Sequence, residues 1–170
     1  MGQIRRFKPE KLVMPILISR EKTRAPLLEE LRSRYGPVDY TSIDLPFTYT
    51  HYYDEEMGTP ITRFIISFLR PVDPGTLAQI KVQTNQLESR FAEAGRRKVN
   101  IDPGLLNLGR FVLASTKEGS HRVPLSDGVF AEVTLVYRRG GYSPLEWTYP
   151  DYRSEEYLRI LGNIRKLYKG

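Results

Sequence analysis

The stretch TRFIISFLRPVDPGTLAQIKVQTNQLESRFAEAG, residues 62–95, carries the two clearest elements of the chain in series. Residues 62–70 read as a strand that is apolar on both faces, with Phe64, Ile66 and Phe68 against Ile65 and Leu69. A strand buried on both faces belongs in the interior of a sheet. Asp73-Pro74 then opens a helix, because the aspartate caps free N–H groups and the proline fits the first helical position. Leu77, Ile80, Thr84, Leu87 and Phe91 follow at three–four spacing, and Gly95 closes the helix.

The neighbouring segments extend this pattern. Upstream, residues 12–18 form an apolar run of strand length. Thr23 is placed to cap a helix that runs to Tyr35, with Leu27, Leu28, Leu31 and Tyr35 on one face and Gly36-Pro37 as its stop. Residues 38–43 make a second strand. Downstream, residues 98–101 and 110–115 read as strands on either side of Asp102-Pro103-Gly104. Residues 120–124 and 128–137 are joined by Ser126-Asp127-Gly128, a hairpin turn, and a second hairpin is expected at Gly140-Gly141. Residues 153–168 form an amphipathic helix carrying Tyr157, Leu158, Leu161, Ile164 and Leu167. The order predicts one α+β domain over residues 1–170. Its mostly antiparallel sheet would be covered on one face by about three helices, with ferredoxin-like elements in the first part.

Composition narrows the function classes. The chain has no cysteine, which removes disulfides, zinc-thiolate sites and thiol nucleophiles together. No apolar run has the length of a membrane span, and a cytoplasmic location is the expectation. The net charge is +6, but it is not spread evenly. Residues 1–11 set four cations against Glu10, and residues 153–170 set five against Glu155 and Glu156, so the middle of the chain is neutral. The basic termini suit either solvated ends or contacts with nucleic-acid phosphates. There is no phosphate-binding G-x-x-x-x-G-K-[ST] loop, no dinucleotide G-x-G-x-x-G and no G-x-S-x-G elbow.

The candidate chemistry lies in three places. On the long helix, Lys81 and Glu88 fall beside the apolar stripe, about 10 Å apart along the axis, with Asn85 between them. They suit the rim of a pocket, or a snorkelling lysine with a paired glutamate. After the next strand, Asn100 and Asp102 share one face, although Asp102 before Pro-Gly is also an ordinary turn former. Lys117, His121 and Arg122 then fall within six positions of one another, two cations and a proton carrier suited to a phosphate or carboxylate. Glu132 lies in an otherwise apolar strand and needs a partner if its face is covered. Glu88, Asp102 and Glu132, completed by His121 or water, are candidate ligands for a divalent metal. His51 to Glu56, HYYDEE, reads as a lid or as an acidic loop. The patch at residues 147–152 pins a loop to the core or offers Tyr149 or Tyr152 to stack a base.

FTYTHYYDEEMG (47–58), IKVQTNQLE (80–88), VNIDPGLL (99–106), VLASTKEGSHRVPL (112–125), GVFAEVTL (128–135) and WTYPDY (147–152) together resemble a bacterial and archaeal family catalogued as domain of unknown function 4416. The likeness covers nearly the whole chain. It implies a domain of about this length and no particular activity. The residues themselves lead to three functional expectations. The first is an enzyme or ligand-binding domain for a small anionic, phosphorylated molecule. There Lys117 and Arg122 hold the anion, His121 carries a proton, Glu88 and Asp102 act as base or metal ligands, and Lys81 and Asn85 orient the substrate. The second is an RNA-binding module using the basic termini. The third is a protein-interaction scaffold using the tyrosine-rich surface.

Overall fold

The computed structural model describes residues 2–170; Met1, the first residue of the expected domain, lies outside them. In chain order the elements are β1 (Lys11–Ile18), α1 (Arg24–Tyr35), β2 (Val38–Thr41), β3 (Leu45–Pro46), α2 (Asp54–Met57), β4 (Thr62–Phe68) and α3 (Leu77–Arg90). There follow β5 (Val99–Ile101), β6 (Gly104–Leu106), β7 (Arg110–Ser115), β8 (Arg122–Pro124), β9 (Phe130–Arg138), β10 (Gly141–Pro144) and α4 (Glu155–Lys169).

All ten strands join one antiparallel sheet. Several share a position, because β2 and β3 both pair with the outer edge of β4, β5 and β6 with β1, and β8 and β10 with β9. Reading β5–β6 as one interrupted strand, the first part runs strand–helix–strand–strand–helix–strand in the order β5/β6-β1-β4-β2. This is the ferredoxin-like arrangement expected from the sequence. β3 and α2 are an insertion before β4. Beyond it the sheet continues through β7, β9 and the two outer strands.

Alternation along β1 divides the core. Leu12, Met14, Ile16 and Ile18 face α1 and α3 with Phe64, Ile66, Leu27, Leu77 and Leu87. Val13 faces the other way, with Ile65, Phe111, Leu135, Tyr157, Leu161 and Ile164. The last helix therefore covers the opposite face, and the expectation that helices cover one face only is corrected. A single amphipathic stripe tells a helix to bury one side but not which sheet face to bury it against. β4 is buried on both faces, as its sequence requires, except that Leu69 lies just past its end and is exposed.

Local signals are accurate where a backbone conformation demands them. Asp127 and Gly128 both have positive φ (56° and 72°), the requirement of a tight hairpin turn between β8 and β9. The next hairpin turns on Arg139 (φ 53°) and Gly140 (φ 84°), one residue before the expected pair. Asp73 accepts the N–H of Gly75, opening a short 3-10 turn ahead of α3. Thr23 precedes α1, but its hydroxyl donates to Arg20 O at 2.6 Å instead of capping the helix. No helix among the described residues is long and apolar enough to cross a membrane.

Candidate functional site

The site begins at the break between β5 and β6. Pro103 has no N–H to give a ladder, so the strand stops at Ile101 and resumes at Gly104. The backbone stays attached there, since Asp102 N–H donates to Pro15 O and Ala114 N–H to Pro103 O, each at 3.0 Å. β7 pairs with β6 and ends at Ser115, so it does not extend alongside β5. The outward N–H and C=O of Ile101 would then be buried without partners. α3 supplies them. Glu88 Oε1 accepts the Ile101 N–H at 2.6 Å, and Lys81 Nζ donates to Ile101 O at 2.9 Å. Two helix side chains thus stand in for a neighbouring strand.

That finding revises the pocket-rim reading of α3. Lys81 and Glu88 are buried, while Asn85 is half-buried. Thr84, inside the stripe, is accommodated because its hydroxyl donates back to Lys81 O at 2.9 Å. Burial raises the Glu88 carboxyl above its ordinary value, against the pull of Lys81.

Charged groups continue outward from this point. Glu88 Oε2 lies 3.2 Å from Arg97 Nη1, which also donates to Asn100 Oδ1 at 3.2 Å. Arg97 grips Glu56 through two bonds of 2.6 Å, and Lys98 Nζ donates to Met57 O at 3.0 Å. The end of the HYYDEE segment, in the short helix α2, is therefore tied down by Arg97. Asn100 Nδ2 donates to Asp102 Oδ2 at 3.1 Å. Asp102 also lies 3.8 Å from Lys81 Nζ and 3.9 Å from Arg63 Nη1. Its side chain is 25% exposed, so it forms the solvent end of an otherwise buried network.

Arg63 was not among the candidate residues. It sits in β4 with 2% of its surface exposed, against the rings of Phe47, Tyr152 and Tyr157 at 5.0, 5.7 and 5.9 Å. Nη1 donates to Tyr152 Oη at 3.2 Å, and Nη2 lies 3.3 Å from Asp151 Oδ2. Nε has no acceptor among the described residues, and the buried Tyr157 hydroxyl has no partner either. Burial raises the Asp151 carboxyl despite Arg63 beside it. The sequence signal was present: a lone arginine inside a strand apolar on both faces has to be buried.

The remaining candidates form a second group. Glu132, 2% exposed, receives Arg122 Nε at 2.8 Å and lies 3.0 Å from His121 Nε2. Arg122 also donates to Lys117 O at 2.9 Å and to Tyr149 Oη at 3.2 Å. With each of its nitrogens engaged, Arg122 is not a free anion clamp, contrary to expectation. Lys117 Nζ lies over the Tyr52 ring at 4.3 Å, and Tyr52 packs edge-on against Tyr53. His121 stacks on Trp147, with ring centroids 5.3 Å apart.

Glu88, Asp102 and Glu132 do not assemble a metal site. Glu88 is taken by Ile101 and Arg97, and Glu132 by His121 and Arg122. Among the described residues no group of three or more histidines or carboxylates is arranged to hold a metal ion. Tyr152 is buried under Arg63 and is not available to stack a base; the 147–152 patch pins its loop, with Trp147 Nε1 donating to Val133 O and Thr148 Oγ1 to Thr134 O.

No curated protein and no solved structure matches the chain. The family model described as Domain of unknown function (DUF4416) matches residues 8–168, nearly the whole chain, and the protein belongs to that family.

Proposed function

We propose that the domain binds a small anionic molecule, phosphorylated or carboxylated, at the break between β5 and β6. The reading rests on Arg63. A guanidinium presents five N–H donors in a planar fork that matches carboxylate and phosphate oxygens. Here it is buried, it donates to Tyr152, and its Nε has no acceptor among the described residues. An oxyanion between Arg63 and the Tyr157 hydroxyl would complete both. Asp102, partly exposed and 3.8 Å from Lys81, is the carboxylate placed to exchange a proton with such a ligand. Compared with the sequence expectation, the ligand class is retained and the anion-holding role moves from Lys117 and Arg122 to Arg63.

A thermal-shift panel tests this with phosphate, pyrophosphate, nucleotides, sugar phosphates and dicarboxylates. A ligand at a hundred times its Kd adds about 2.7 kcal/mol. For a chain of this size that is a rise of roughly 5–10 °C in Tm. Tyr157→Phe removes one unpaired hydroxyl and should weaken the response without unfolding the domain. Asp102→Asn should keep the fold and change the response. A panel in which no anion moves Tm overturns the reading and leaves Arg63 as a buried structural cation completed by water.

A further inference from the structure

We infer that a groove on the α1/α3 side of the sheet is a binding site for an apolar primary amine. The groove has a volume of about 260 Å³ and lies between the start of α3 and the β7–β9–β8 end of the sheet. Its apolar lining includes Leu77, Leu105, Val112, Ala131 and Val133. Val123 and Leu125 extend that surface as an exposed lip, 64% and 45% accessible. Such a lining accepts an alkyl or aryl body and gains free energy from the area it covers.

The polar lining sets the charge of the ligand. Glu10, Arg110 and His121 contribute to the groove. The Glu10 side chain is 8% exposed, and its Oε1 accepts from Asn107 Nδ2 at 2.7 Å and from Arg110 Nη2 at 2.9 Å. Its Oε2 has no donor among the described residues. A buried carboxylate oxygen without a donor is destabilising, because it has lost its water without gaining a partner. Arg110 is already directed at Oε1, so the unmet requirement is one further N–H donor. An ammonium on an apolar body supplies both the donor and the charge, whereas a carboxylate or phosphate would face Glu10 with like charge. His121, with Nε2 turned to Glu132, contributes a ring to the lining and transmits occupancy to Trp147, on which it stacks.

The test uses 2-phenylethylamine as the probe, with 3-phenylpropionate and trimethyl(2-phenylethyl)ammonium as controls. Binding is followed through the methyl resonances of Leu77, Val112 and Val133 and the fluorescence of Trp147, the only tryptophan of the chain. The amine should give saturable shifts at all three residues and the carboxylate none. The trimethylated form keeps the charge but has no N–H and should bind more weakly. Glu10→Gln should weaken the amine by about tenfold, the scale of one charged hydrogen bond. Ala131→Leu, which fills the groove and leaves Glu10 in place, should abolish the methyl shifts even if Glu10→Gln does not fold. Unmoved methyls in the wild-type protein, equal shifts with the carboxylate, or binding indifferent to Ala131→Leu would overturn the proposal.

Discussion

Replacing Glu88 with alanine separates a structural role for this residue from a purely chemical one. In the native structure its Oε1 accepts the buried N–H of Ile101 at 2.6 Å, and Oε2 lies 3.2 Å from Arg97. Truncation leaves that N–H without an acceptor, since β5 has no strand on this side among the described residues, at about 1–3 kcal/mol. It also leaves Lys81 buried with one counter-charge fewer. Removing one partner of a buried pair typically costs about 3–5 kcal/mol in all. Arg97 keeps Glu56 and Lys81 keeps Ile101 O, which holds the sum to about 3–4 kcal/mol rather than more. Against a total stability on the order of 5–15 kcal/mol, this is a large fraction. Glu88→Gln retains an acceptor and the side-chain volume and should cost about 1–2 kcal/mol. Urea unfolding followed by far-UV circular dichroism reads both, with the midpoint falling and the slope unchanged. A Glu88→Ala protein within about 0.5 kcal/mol of wild type would refute the claim that α3 replaces a strand beside β5.

Three further outcomes follow from the same geometry. Burial raises the carboxyls of Glu88 and Asp151, so the folded state holds those protons more tightly than the unfolded chain. Their contribution is then fully present below the ordinary carboxylate range and is lost as pH rises through their elevated values. Glu30, Glu56 and Glu93 are shifted the other way, so the test is a difference: on raising pH from about 4 to 7 the Tm of Glu88→Gln should gain relative to that of wild type, and parallel profiles would contradict the burial argument. Gly104→Ala should destabilise by about 1–3 kcal/mol in urea, because a Cβ there would meet Phe111 and the carbonyl of Val112 at 2.7 Å; an unchanged midpoint would mean β6 and β7 are not so closely packed. Gly128→Ala and Gly162→Ala should have opposite signs. Gly128 has a φ of +72° that a side chain strains, whereas Gly162 lies inside α4 with open space around it. Costs and gains of about 1 kcal/mol are expected, read as Tm shifts in opposite directions.

The sequence was most informative where a requirement is local. The strand and helix of residues 62–95 are set by alternation and three–four spacing, and the β8–β9 turn by two residues that tolerate positive φ. Off-stripe positions on α3 also showed correctly that Lys81 and Glu88 leave the solvent-facing side. What they meet was not legible, because Ile101 becomes a partner only when β5 loses its neighbour, a consequence of pairing between distant segments. Arg122 and Glu132 illustrate the same limit: Lys117, His121 and Arg122 are close in sequence and suit an anion, yet β8–β9 pairing places Arg122 directly opposite Glu132 and the two satisfy each other. Arg63 could have been found. A charged side chain between apolar neighbours on an interior strand has to be buried together with its charge.

The break in the sheet links the structural and chemical readings of these residues. A β7 that ran on alongside β5 would pair Ile101 itself, and no charge on α3 would be needed there. Because β7 ends at Ser115 and leaves β5 without a neighbour on that side, two backbone groups of Ile101 need partners, and Lys81 and Glu88 are accounted for by that need. Asp102 is not accounted for in this way. Its backbone N–H already bonds Pro15, and as a turn former before Pro-Gly an asparagine would serve equally. Nor does packing explain Arg63, since a methionine would fill much of the same volume among Phe47, Tyr152 and Tyr157 without a desolvated charge. Local structure therefore explains the helix residues that the sequence brought forward first. The chemical question rests on the pair it explains least, a buried guanidinium whose Nε has no acceptor among the described residues and a partly exposed carboxylate 3.9 Å from Nη1.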